Sequence, residues 1–182
     1  SNPTRVVNRA VFAGTLVMAG WLVCLHMAGT LGAYAQTLTD LAQKKLYGGR
    51  SFFWVKMAYA AGALAPINFW FVKECILIES ARTELKWFSR KWLWILLTAF
   101  AVIAPFTATF ILPNSTRNNP LYGWSYYGYY VVLFSLYGIL FRDTFEKIKT
   151  LTGAARLELQ VWLGGGCIMA LTVYILIALS EF

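Results

Sequence analysis

AVFAGTLVMAGWLVCLHMAGTLG, residues 10–32, is an unbroken apolar run whose only strongly polar side chain is His26. As an α-helix it rises roughly 34 Å, enough to cross a hydrocarbon core of about 30 Å. The rest of the chain has the same character. Of its 182 residues 59% are hydrophobic and 13% charged, with a mean hydropathy of +0.57, whereas ordinary soluble domains run to about 45–50% apolar and about 25% charged. A water-soluble fold of this length would have too little polar sequence to build its surface. The sequence therefore predicts an all-α integral membrane bundle of about five transmembrane helices, forming one domain over 1–182.

Working outward from 10–32, the spacing predicts further helices over 52–78, 92–112, 125–141 and 160–179. A polar connection over 36–50, with Asp40, Lys44, Lys45 and the breaker pair Gly48 and Gly49, separates the first two. The second span carries Lys56 near one end and Lys73 with Glu74 near the other, where long side chains can snorkel to an interface. Its middle, Ala60 to Pro66, is built of small residues that allow close backbone approach and ends in a proline that kinks the helix. Pro105 lies inside the third span, and the turn-rich segment 113–120 follows it. The fourth span is entered through Tyr122, Trp124, Tyr126, Tyr127, Tyr129 and Tyr130, an aromatic belt. A charged segment over 142–158 leads to the last span, where Gly164, Gly165 and Gly166 mark a close helix contact.

The net charge of +8 raises nucleic acid as a partner, but the Lys and Arg residues sit in short connections and form no extended basic face. Nucleic acid is therefore excluded, and the charge serves orientation. Eleven Lys and Arg residues fall on one side, among them Arg5, Arg9, Arg142, Lys147, Lys149 and Arg156. Five fall on the other: Lys44, Lys45, Arg50, Lys56 and Arg117. The positive-inside rule then places the N-terminus in the cytoplasm and the C-terminus outside, in a multi-pass membrane protein.

Catalytic constellations are missing. The eight acidic residues are assigned to connections or helix ends, which leaves no intramembrane carboxylate path for protons or cations. No paired-carboxylate, Ser-His-Asp or phosphate-cradling arrangement occurs, and Cys24, Cys75 and Cys167 lack the spacing of a metal site. The chain is read as a non-enzyme without a metal site. His26, the only histidine, is the cofactor-binding candidate: imidazole can ligate a haem or a chlorophyll-type magnesium, or hydrogen-bond to a neighbouring helix. The sequence requires no cofactor, and lipid surrounds the bundle in either case.

Asn68, Trp124 and Tyr127 are the ligand-binding candidates. Asn68 stands two residues after Pro66, where it can satisfy the carbonyl that the proline leaves unpaired, bridge to another helix, or hold a polar ligand if a cavity surrounds it. Trp124 and Tyr127 belong to the aromatic cluster, which anchors at an interface or forms the rim of a site for a small apolar or aromatic ligand. Partners are membrane lipids and other transmembrane helices or subunits.

The order of features adds a resemblance. Asn2, Pro3, Asn8 and Arg9 leading into the helix with Trp21, then Trp54, Ala58, Tyr59, Gly62, Ala63, Pro66 and Phe69, resemble the second and third helices of the seven-helix N-terminal region of bacterial sensor histidine kinases. Asn119 to Trp124 with Tyr129 and Tyr130 is similar to the entry of that region's fifth helix, and Arg156 to Gln160 to the start of its sixth. The resemblance covers the family's second to sixth helices and implies a membrane-embedded sensory input module. It implies no catalysis by these residues, which contain neither a phosphoacceptor histidine motif nor a nucleotide-binding glycine box. The alternative from a different class is an accessory or structural subunit of a larger photosynthetic or respiratory complex, in contact with pigment, haem or lipid.

Overall fold

Asp40 decides where the second helix begins. Its carboxylate accepts the Ala42 N–H at 2.9 Å from an extended backbone, φ −70° and ψ 118°, which is the N-cap arrangement that satisfies an otherwise unpaired helical donor. The computed structural model describes residues 6–81, 92–113, 115 and 120–180, the side chains of 78–81 and 169–180 excepted. Over these residues α1 runs Val6–Thr37, α2 Leu41–Ala63, α3 Ala65–Ala81, α4 Trp92–Ile103, α5 Trp124–Thr150 and α6 Gly153–Ser180. Because α3 resumes one residue after α2 ends, the architecture is all-helical with five rods. The only β feature among the described residues is an isolated bridge between Ile111 and Tyr122.

The rods differ from the sequence reading at their ends, each for a local reason. The connection expected over 36–50 shrinks to Leu38, Thr39 and Asp40, because the Asp40 cap starts α2 in a stretch of good helix formers. There α2 turns back along α1: the Ser51 hydroxyl donates to the Ala28 carbonyl at 2.8 Å, and Tyr34 meets Tyr47 edge-on at 4.9 Å. The third span, read as 92–112, ends early. Pro105 sits in a 3₁₀ turn, Ala104–Phe106, and the chain then leaves the helix. Phe110 plugs the core, Leu112 N–H bonds Leu121 O at 2.9 Å, and the returning segment enters α5. The segment expected to connect over 142–158 is mostly helical. A link of Leu151 and Thr152 joins α5 to α6, and Gly153 adopts φ +64°, a conformation that costs glycine nothing. Residues 82–91, 114 and 116–119, to which parts of the two remaining connections were assigned, lie outside the described residues.

Two cores hold the rods together. One gathers Val7 and Ala10 from α1, Val72, Cys75 and Ile76 from α3, Ile148 from α5, and Leu159 and Leu163 from α6. The other gathers Ala63, Ala101, Ala104, Phe110 and Tyr129. The start of α1, the ends of α3 and α5 and the start of α6 therefore share one end of the bundle. The end of α2, the end of α4 and the start of α5 share the opposite half. Much of the outward surface is apolar, including Phe12, Leu16, Leu22 and Val23 on α1 and Val131 and Phe134 on α5. Among the described residues two helical runs, Val6–Thr37 and Leu41–Leu77, are long and apolar enough to cross a membrane; Trp92–Phe106 is apolar but shorter.

Candidate functional site

Leu64 is where the long rod breaks. Its N–H bonds Ala61 O at 3.1 Å, Pro66 has no N–H to offer, and the regular pattern resumes with Asn68 N–H on Leu64 O at 3.1 Å. Just past the break α3 is flanked by α1 on one side and α6 on the other, and between the three lies a crevice of about 260 Å³. Ala65, Asn68 and Phe69 of α3 form its floor. Gly14 and Thr15 contribute from α1, and Trp162, Gly165 and Gly166 from α6.

Glycines set how closely the walls approach. A Cβ at Gly14 would stand 1.9 Å from Nδ2 of Asn68, so the carboxamide lies in the space that the missing side chain leaves. A Cβ at Gly166 would stand 2.6 Å from the Phe69 ring, whereas one at Gly165 would meet nothing. Of the three glycines read as a close contact, Gly166 makes one and Gly164 and Gly165 face open space. Phe69 packs on Trp162 with ring centroids 4.9 Å apart. The indole N–H of Trp162 is buried without a hydrogen-bond partner, and behind its ring a smaller void of about 10 Å³ opens toward α5.

The Asn68 side chain neither caps the carbonyl freed by Pro66 nor hydrogen-bonds across to another helix among the described residues. It is half-buried and lines the crevice. No charged side chain lines it with Asn68.

The other sequence candidates fall elsewhere. His26 is exposed on α1, outside the crevice, and its carbonyl accepts the Thr30 hydroxyl at 3.0 Å. No group of His, Cys, Asp and Glu able to hold a metal ion occurs among the described residues. Trp124 and Tyr127 point outward, 69% and 63% exposed, and neither lines the crevice. Their neighbours turn the other way. Tyr126 stacks on Tyr122 at 3.9 Å, and Tyr129 donates its hydroxyl to the Tyr59 carbonyl at 2.9 Å. Around Tyr59 and Phe110 these rings form a packed aromatic core. The tyrosine-rich run thus divides by helix face into two exposed rings and an interior cluster.

One site was hidden from the sequence reading. Lys73, expected to snorkel, is 2% exposed. Its ammonium pairs with the Asp143 carboxylate of α5 and lies 3.4 Å from Glu74 Oε1. The helical face that carries Lys73 points at α5, and a carboxylate waits there, so the stem packs inward with its charge compensated. A lysine inside an apolar run was the available signal, but its partner is 70 residues away along the chain.

No family model, curated protein or solved structure matches this chain.

Proposed function

We propose that the chain is a membrane-embedded sensory input module, non-catalytic in itself, in a bacterial inner membrane with its N-terminus in the cytoplasm and its C-terminus outside. The observation that carries this reading is the crevice beside the Leu64 break. A rod that has lost a backbone hydrogen bond beside a crevice can shift between two packings at low cost, which is what a switchable element requires. The apolar outward faces of α1 and α5 support a lipid surrounding, since a soluble fold would leave them against water. The shared end of the bundle that holds Arg9, Arg142, Lys147, Lys149 and Arg156 supports the orientation.

The test is a distance distribution. Spin labels at Leu46→Cys on α2 and Leu157→Cys on α6, in a chain with its native cysteines replaced, read across the break in lipid nanodiscs. Two distances are expected in the parent chain, and one in Gly165→Phe, which adds a ring at the open rim of the crevice. A single narrow distance that Gly165→Phe leaves unchanged overturns the reading.

A further inference from the structure

We propose that the crevice between α1, α3 and α6 binds a small, uncharged, membrane-dissolved molecule with one hydroxyl or carbonyl group on an apolar body, and that the Asn68 carboxamide holds the polar group. This rests on the reading of the chain as a membrane-embedded module.

Volume, charge and polarity narrow the occupant. A cavity of about 150 Å³ lined by apolar side chains stays dry and takes benzene. About 260 Å³ therefore suits a body of two fused rings or similar bulk. The walls are otherwise Gly, Ala, Val, Met, Phe and Trp with Thr15, and offer no counter-ion, so a charged molecule would lose its hydration without replacement.

Asn68 brings both a donor and an acceptor and makes no hydrogen bond to the described residues. The Thr15 hydroxyl already donates to Val11 O at 3.0 Å and is left only as an acceptor. A water molecule held there would have at most Asn68 and the Thr15 oxygen as polar side-chain partners, the lower end of what keeps buried water in place, and would leave the apolar walls unfilled. A hydroxyl or carbonyl tethered to an apolar body satisfies the carboxamide while the body fills the rest. Thr15 and Gly165 are exposed, so the crevice is open on the apolar flank of the bundle and its occupant enters sideways from lipid. A lipid acyl chain would fill the volume and leave Asn68 unpaired.

The experiment uses the full chain in nanodiscs with 2-naphthol and 2-methylnaphthalene, two probes of nearly equal shape that differ in a hydroxyl against a methyl group. Binding is read as a saturable rise in melting temperature, with concentrations expressed as mole fraction in the bilayer. The parent chain is expected to prefer 2-naphthol about fivefold, the worth of one net hydrogen bond. Asn68→Leu, which keeps the side chain's size, should bind both probes equally, and Gly165→Phe should bind neither. Equal binding of the two probes by the parent chain overturns recognition by Asn68 and leaves an apolar slot for acyl chains. Absence of saturable binding, with spin-label distances that still respond to Gly165→Phe, overturns the site and not the module. Distances that do not respond overturn the module itself.

Discussion

Lys73 and Asp143 form an unequal pair: the lysine is buried, while the aspartate is close to half exposed. Removing the Asp143 carboxylate leaves a buried ammonium with Glu74, 3.4 Å away, as its one ion-pair partner among the described residues; removing the ammonium leaves a carboxylate that water can reach. Asp143→Ala should therefore lower unfolding free energy by about 2 kcal/mol, and Lys73→Met by less than half of that, in reversible unfolding from mixed micelles. Equal losses would mean that the pair is not what holds Lys73 inside. The glycines make a similar contrast. Gly166→Ala must displace the Phe69 ring and should cost about 1–2 kcal/mol, whereas Gly165→Ala, with open space around its new methyl group, should stay within about 0.5 kcal/mol of the parent. The glycine triplet stands out in the sequence as a close contact. Its members are equivalent there, because the distinction depends on which of them faces Phe69.

Helix ends at the element scale follow from caps and prolines more than from hydropathy. The Asp40 cap extends α2 through Lys44, Lys45, Gly48 and Gly49, residues whose polarity and glycine content suggested a loop. Pro105 stops α4 before its apolar run is exhausted. Pro66 ends one helix and opens the next, and the break beside it lies over the crevice. Pro66→Ala restores an N–H at that point. It should raise stability by about 1–3 kcal/mol, with amide exchange slowed around residues 62–66, and narrow the distance distribution between labels on α2 and α6. Faster exchange there would show that the break is imposed by packing and not by the proline. The loop that enters α5 has its own constraint. A Cβ at Gly123 would stand 2.1 Å from the backbone oxygen of Thr109, so Gly123→Ala should cost about 2 kcal/mol by forcing the two strands of the return apart, measured by thermal unfolding.

Across the whole molecule the two cores alternate the chain ends. The basic end of the bundle carries the last turn of α5 and the start of α6, and the Tyr122 end faces the other way. In spheroplasts a membrane-impermeant maleimide should label Pro120→Cys and leave Thr152→Cys unlabelled, in a chain without its native cysteines. The reverse pattern would invert the proposed orientation. The aromatic run at the start of α5 also acquires its meaning only at this scale. Read linearly it is a belt, but the helix turns Tyr126, Tyr129 and Tyr130 onto Tyr59 and Phe110 while Trp124 and Tyr127 stay outside.

By itself the sequence determined the all-helical class and the break at Pro66. Those properties follow from local hydropathy and from what proline does to its own backbone, both written in neighbouring residues. Only the tertiary structure decided that Lys73 faces Asp143, that Asn68 lies over Gly14 and not on its own helix, and that α1 and α6 leave a crevice over α3. Each of these depends on the rotation and offset of one helix against another. Those are set by many weak contacts summed over residues far apart in the chain, and the order of amino acids records no single signal for them.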